Sequence, residues 1–231
     1  MTGKLIAFVV LIMSLFVYAI ENVVFGGEYY SVIAVITAVL AVMPYLASHG
    51  NRQVVTKEIQ IITIKTLLSF AVFYFADSAT YLRPFTAFTI AAGAYFGVPV
   101  GYLCGVASLM LYSGVTHTDP AITIQLLLIG FIGLMAGMLR GKITENKLFA
   151  LLFTFISSML FSCSGILNLL WDAEKGFMLS DYHILILDSL VWFAVYAVSD
   201  VLLYFVIRFI LGKKSERMKI RYEIFEYGYK V

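Results

Sequence analysis

The most informative part of the sequence runs from Pro84 to Lys142. It reads PFTAFTIAAGAYFGVPVGYLCGVASLMLYSG from residue 84, VTHTD from residue 115, and PAITIQLLLIGFIGLMAGMLRGK from residue 120. Glycines recur in it every three or four residues, which in a membrane lets helix backbones approach closely, because lipid gives helices no hydrophobic reason to associate. The stretch therefore predicts closely packed transmembrane helices. Gly130, Gly133 and Gly137 are the candidates for a close helix contact, either within the core or toward another protein.

The composition of the chain indicates a membrane protein. Of its 231 residues, 61% are hydrophobic and 13% are charged, and the mean hydropathy is +0.94, whereas soluble domains are roughly 45–50% apolar. The net charge is only +2, and the basic residues lie at the ends of apolar segments, which argues against nucleic-acid binding. We therefore expect an all-α polytopic membrane protein.

Eight apolar segments are candidate spans, at residues 5–20, 29–48, 59–76, 84–98, 99–115, 121–139, 148–171 and 184–210. The fourth and fifth together are too long for one span of about 20 residues, and Pro99 after Gly97 predicts a break between them. With the N-terminus inside, most basic residues lie on the cytoplasmic side, so we expect both termini there. No small-x-small cleavage site follows the first segment, which favours a span over a removed signal peptide.

Polar and aromatic residues gather at the predicted outer ends of four helices. Asp188, Trp192 and Tyr196 follow one another at four-residue spacing and so share one helical face, and the Gln125 amide needs a partner inside the membrane. An apolar-walled pocket with a few hydrogen-bonding groups is typical of small-molecule sites. The candidate substrate-binding residues are Tyr112, His117, Gln125, Asn168, Trp171, Asp188, Trp192 and Tyr196.

Enzyme motifs are missing from the sequence, which has no Gly-x-Ser-x-Gly elbow, no His-Glu-x-x-His helix and no Walker A phosphate loop. We therefore expect no catalytic residues and no cofactor, and any ATP hydrolysis must come from another chain. Two acid–histidine pairs, His117 with Asp119 and Asp181 with His183, lack dedicated metal-ligand spacing and are expected to be solvated loop residues.

One motif consists of Gly97, Pro99, Gly101 and Gly105, then Pro120 and Gln125, then Gly130, Gly133, Ala136, Gly137 and Arg140. This order of glycines, prolines and polar residues resembles the substrate-binding S component of energy-coupling factor (ECF) transporters. The similarity covers about residues 57–222 and includes Trp171 and the Tyr-Ala-Val-Ser segment at 196–199. It implies a six-span substrate-binding core at 57–212, preceded by a two-span extension and linker at 1–56 and followed by a basic and aromatic cytoplasmic tail at 213–231.

This resemblance implies a protein of the prokaryotic cell membrane that captures a vitamin or related micronutrient from outside and has no catalytic activity. Its implied partners are an ECF membrane coupling protein and two ATPase subunits. The branch of the family that it most resembles favours a cobalamin-like corrinoid as the substrate, with thiamine, riboflavin or a queuosine precursor as the other candidates.

A self-contained small secondary transporter or channel is the alternative, since such a protein needs charged groups inside the membrane. Lys65 and Asp200 lie at similar predicted depths within their spans. We expect either an ion pair between them or a lysine that snorkels to the surface beside a protonated aspartate. An intramembrane enzyme is disfavoured by the missing motifs.

Overall fold

Helices account for nearly all of the part of the chain that the computed structural model describes, which is residues 2–25, 29–49, 56–78, 86–116, 122–169, 171–172, 176–177 and 179–222. Two short strands, β1 (Trp171–Asp172) and β2 (Gly176–Phe177), pair antiparallel. The helices are α1 (Thr2–Phe25), α2 (Tyr30–Leu40), α3 (Met43–His49), α4 (Thr56–Ser78), α5 (Ala87–Phe96), α6 (Val98–Val115), α7 (Ile122–Met138), α8 (Arg140–Glu145), α9 (Lys147–Leu169) and α10 (Leu179–Tyr222).

The chain is an all-α, multi-pass membrane protein, as its composition predicts. Within the described residues, five helical stretches are long and apolar enough to cross a membrane. They are Tyr30–Ser48, Glu58–Phe75, Val98–Val115, Lys147–Ser164 and Ser189–Ile210, and shorter apolar stretches occupy Leu5–Ile20, Ala87–Phe96 and Ile122–Met138. Large hydrophobic side chains cover the outside of the bundle, as lipid contact requires: Phe75 is 70% exposed and Phe209 is 89% exposed.

The predicted break between the fourth and fifth apolar segments is confirmed. It lies at Gly97, whose backbone has φ 97° and ψ 176°, a conformation that is essentially open to glycine alone. Pro99 follows in the first turn of α6. A proline is tolerated there because the N–H that it lacks would have no partner within the helix. Because α5 has only 10 residues, it rises about 15 Å, half of a hydrocarbon core of about 30 Å.

The second apolar segment is also interrupted, which the sequence analysis did not predict. α2 ends at Leu40, and α3 begins at Met43 after a two-residue turn. Pro44 explains the interruption, because its nitrogen cannot donate to the Leu40 carbonyl and its ring crowds the preceding turn.

The centre of the bundle is the contact of α7 with α5 and α6. A Cβ atom at Gly93 would lie 2.5 Å from the Gly133 carbonyl oxygen, and one at Gly133 would collide with the backbone of Gly101. A Cβ at Gly137 would meet the backbone of Val98. These three helices therefore touch backbone to backbone, at a distance that only glycine permits.

The N-terminal helices pack directly on this centre. α1 contacts α6 and α7, α2 contacts the same two helices, and the Thr123 hydroxyl donates to the Tyr30 carbonyl at 3.3 Å. Most of the predicted linker, residues 50–55, lies outside the described residues. At the other end of the chain, α10 continues to Tyr222, so the first part of the predicted tail extends the last helix.

Candidate functional site

Asp200 and the N-terminus of α5 form a polar junction in the interior of the bundle. Asp200 is fully buried on α10. Its Oδ1 accepts hydrogen bonds from the backbone N–H groups of Thr86 at 2.9 Å and Ala87 at 2.8 Å, and its Oδ2 accepts one from the Ser158 hydroxyl of α9 at 2.5 Å. One carboxylate therefore joins three helices.

The geometry explains how this acid is accommodated in a membrane. The first N–H groups of a helix have no partner within the helix, and lipid offers none. The side chain of Thr86, the N-cap residue, makes no capping bond. The Asp200 carboxylate satisfies two of these amides, and the positive end of the α5 dipole stabilises its charge. Asp200 thus serves as the N-cap of a helix more than a hundred residues earlier in the chain.

The depth of this junction follows from the length of α5. We call the end of the bundle that holds Gly97, α8 and Arg208 the Gly97 end; there Arg208 donates to the carbonyls of Ile143 and Thr144 at 3.1 and 2.5 Å. The first residue of α5 lies about 15 Å from Gly97 at 1.5 Å per residue. The α5 N-terminus and Asp200 therefore lie about 15 Å from the Gly97 end, near the centre of the apolar stretch Ser189–Ile210, and α5 occupies only the half of the bundle nearer Gly97.

The predicted ion pair between Lys65 and Asp200 is wrong, and so is the alternative of a lysine that snorkels to the surface. Lys65 is 6% exposed, its Nζ lies 5.8 Å from the centroid of the Phe96 ring, and it has no hydrogen-bond partner among the described residues. Phe96 is the last residue of α5, whereas Asp200 binds the first. The whole length of α5 separates the two charged groups, although their positions along their own spans suggested equal depth.

Four of the predicted substrate-binding residues have described side chains. Tyr112 is half-buried on α6, with its ring centroid 5.9 Å from that of Phe73. Gln125 is half-buried on α7, and Tyr196 is half-buried on α10. Trp192, also on α10, is 42% exposed. His117 and the side chains of Asn168, Trp171 and Asp188 lie outside the described residues.

The three glycines proposed for a close helix contact all face other helices of this chain. Gly133 lies against Gly101, and Gly137 lies against Val98. A Cβ at Gly130 would lie 2.9 Å from the ring of Tyr102. The face of α7 that these glycines form is therefore occupied within the protein by α5 and α6.

Sequence reasoning missed Ser158 and Thr86 as members of the polar junction. Thr86 had a usable signal, because a threonine directly before an apolar run marks a helix start, and α5 begins at Ala87 rather than at Pro84. Ser158 had none: it is one of several serines in α9, and only its packing against α10 brings it to Asp200.

Comparisons of the chain with protein-family models, with curated proteins and with solved structures found no match. Among the described residues, no three histidine, cysteine, aspartate or glutamate side chains are grouped as metal ligands would be. The function is therefore inferred from the residues of this chain and their arrangement.

Proposed function

We propose that this protein is the membrane-embedded substrate-capture subunit of an ECF-type importer for a vitamin or related micronutrient. The observation that carries the proposal is the half-length helix α5, which glycine contacts hold along its length and Asp200 caps at its buried N-terminus. Polar backbone at mid-membrane is tolerated only where protein or a cavity satisfies it. In membrane transporters, such half-helix ends occur at substrate sites.

The substrate pocket of this proposal lies beyond the N-terminus of α5, in the half of the bundle away from Gly97. Gln125 would contribute a hydrogen bond, and Tyr112, Trp192 and Tyr196 would supply aromatic surface. The resemblance to ECF S components favours a cobalamin-like corrinoid as the ligand. A ligand held with nanomolar affinity requires about 12 kcal/mol, which a mostly buried site can supply.

The proposal also gives the protein an orientation and partners. Arg140, Lys142, Lys147 and Arg208 all lie at the Gly97 end, and basic residues are enriched on the cytoplasmic side of membrane proteins. The Gly97 end would therefore face the cytoplasm of a prokaryotic cell. Because the sequence has no phosphate-binding loop, a coupling protein and two ATPase subunits would supply the energy, and this chain would have no catalytic activity.

A self-contained secondary transporter is the second candidate, and buried Lys65 is the observation that favours it. Ionisable residues within membrane spans often mark ion or substrate pathways. The hydrogen bonds of Asp200 argue against this candidate, because its oxygens already hold the amides of α5 and the Ser158 hydroxyl. An aspartate engaged in this way is poorly placed to exchange a coupling ion.

The test is affinity purification of the tagged protein from native membranes, followed by mass spectrometry of both the co-purifying proteins and the small molecules released on denaturation. We expect two ATPases and a membrane coupling protein, together with one heterocyclic ligand. Gln125→Ala should lose the ligand but keep the partner proteins. Ligand uptake by liposomes that contain this chain alone would instead establish the secondary transporter.

A further inference from the structure

A second candidate site lies at the Gly97 end, in a cleft between α8 and α10 with a volume of about 900 Å³. α10 lines one side with Phe205, Arg208 and Phe209, and the other side carries Glu145 and Lys147. This cleft is separate from the polar junction at Asp200 and from the proposed substrate pocket.

The cleft is positively charged. Arg208 is fixed in place, because its two Nη atoms donate to the carbonyls of Ile143 and Thr144, and its guanidinium lies 5.9 Å from the centroid of the Phe205 ring. Lys147 is exposed at the rim, and Glu145 is the acid among the lining residues. Arg208 and Lys147 together outnumber Glu145, so the lining has a net positive charge. Such a charge attracts an anion.

An exposed apolar surface adjoins the charged residues. Val206, Phe209 and Ile210 are 53%, 89% and 61% exposed, and their spacing places them on one face of α10. The apolar stretch of α10 ends at Ile210, and Lys213 and Lys214 follow. The cleft therefore lies at the depth where hydrocarbon gives way to lipid headgroups.

We propose that this cleft binds an anionic phospholipid, with the phosphate headgroup against Lys147 and Arg208 and an acyl chain along Val206, Phe209 and Ile210. Basic pockets between helices at the cytoplasmic surface are typical sites for acidic lipid headgroups. The neighbouring apolar face distinguishes a lipid from a soluble anion, because a soluble anion would use only the two cations.

The test uses the purified full-length protein in nanodiscs of phosphatidylcholine, with or without added phosphatidylglycerol as the anionic lipid. Thermal unfolding and lipid retention in native mass spectrometry are the measurements. We expect phosphatidylglycerol to raise the unfolding midpoint of the wild type by several degrees and to be retained on the protein. Lys147→Gln should lose at least half of that shift.

Two control variants separate this site from general surface effects. Lys142→Gln removes a nearby exposed charge that lies over the Phe149 ring at 6.0 Å and should keep the shift. Phe209→Ala should reduce lipid retention severalfold, whereas Phe75→Ala, which removes a similarly exposed ring from α4, should not. The variants should fold, because all four substituted side chains are exposed: Phe75, Lys142, Lys147 and Phe209.

Three results would overturn the proposal. If Lys142→Gln and Lys147→Gln reduce the phosphatidylglycerol-induced shift in unfolding midpoint equally, surface potential alone attracts the lipid. Undiminished retention in Phe209→Ala would remove the acyl-chain contact. An equal shift from inorganic phosphate added to phosphatidylcholine nanodiscs would assign the cleft to a soluble anion.

Discussion

Asp200 is a buried carboxylate whose desolvation cost is offset by hydrogen bonds, two of them from backbone amides, rather than by a cation. Its two oxygens accept three hydrogen bonds, from Thr86, Ala87 and Ser158. Hydrogen bonds to charged groups contribute about 1.5–3 kcal/mol each, and leaving a buried partner unsatisfied costs a similar amount.

We expect Asp200→Ala to destabilise the protein by about 3–5 kcal/mol, because it leaves two buried amides of α5 without an acceptor. Ser158→Ala should cost about 1.5–3 kcal/mol, since it removes one bond to the carboxylate. Unfolding in mixed micelles, followed by circular dichroism, measures both. Ser199→Ala is the control, because that hydroxyl binds only the Tyr196 carbonyl of its own helix, at 2.7 Å; an equal loss there would show that the Asp200 junction carries no special stability.

Lys65 presents the opposite case, a buried ammonium over the Phe96 ring with no hydrogen-bond partner among the described residues. Replacing such a group with an apolar one of similar length can be neutral or stabilising. We therefore expect Lys65→Met to leave the free energy of unfolding unchanged or to raise it by about 1–2 kcal/mol.

The double variant Lys65→Met/Asp200→Asn distinguishes this geometry from an ion pair. Side chains at opposite ends of α5 should give additive changes in unfolding free energy, within about 0.5 kcal/mol. If the double variant instead recovers part of the loss seen in Asp200→Asn, the two side chains do interact.

At the scale of the element, α5, α6 and α7 form one closely packed unit because their contact surfaces are glycine. The surface of α7 at Gly133 receives the backbone of α6 at Gly101. α6 also carries a glycine with no such role, since a Cβ at Gly114 would meet nothing within 4 Å. Glycine spacing alone therefore does not identify the contact.

Gly133→Ala should cost about 1–3 kcal/mol and Gly133→Leu more, because any Cβ there forces α6 and α7 apart. Gly114→Ala should leave stability unchanged or raise it by up to about 1 kcal/mol, since alanine favours the helix over glycine. Thermal stability in detergent and ligand binding are the readouts. A Gly133→Leu protein that keeps both would place this face of α7 toward lipid.

At the scale of the whole molecule, the proposed function requires a pocket in the half of the bundle that α5 does not enter. α6, α7 and α10 place Tyr112, Gln125 and Tyr196 in the same bundle, each half-buried. Trp192, at 42% exposure, is the most lipid-accessible of the four described candidates.

Gln125→Ala and Trp192→Ala should each weaken ligand binding by about 1–3 kcal/mol, through an unpaired polar group on the ligand and through lost stacking area. Isothermal titration or equilibrium dialysis with the ligand identified by mass spectrometry measures the change. Val191→Ala is the control, because Val191 is 69% exposed next to Trp192 on α10. Wild-type affinity in both variants would rule out this pocket.

The sequence alone is enough to predict the class of protein, the break at Gly97 and the approximate limits of the apolar helices. These features depend on local physics: hydropathy over a span length, the restricted backbone of proline, and the conformation at Gly97 that other residues cannot adopt. The same reasoning could have predicted the break between α2 and α3, because Pro44 causes it.

Which buried groups meet depends instead on how the helices pack in three dimensions. Lys65 and Asp200 looked like partners because depth along a span is a one-dimensional coordinate, but side-chain contact also depends on which helix lies between two spans and which face each presents. α5 lies between these two, so Asp200 binds its first amides and Lys65 contacts the ring of its last residue. Ser158 reaches Asp200 for the same reason, because the packing of α9 against α10 is a non-local property that no pattern within either helix encodes.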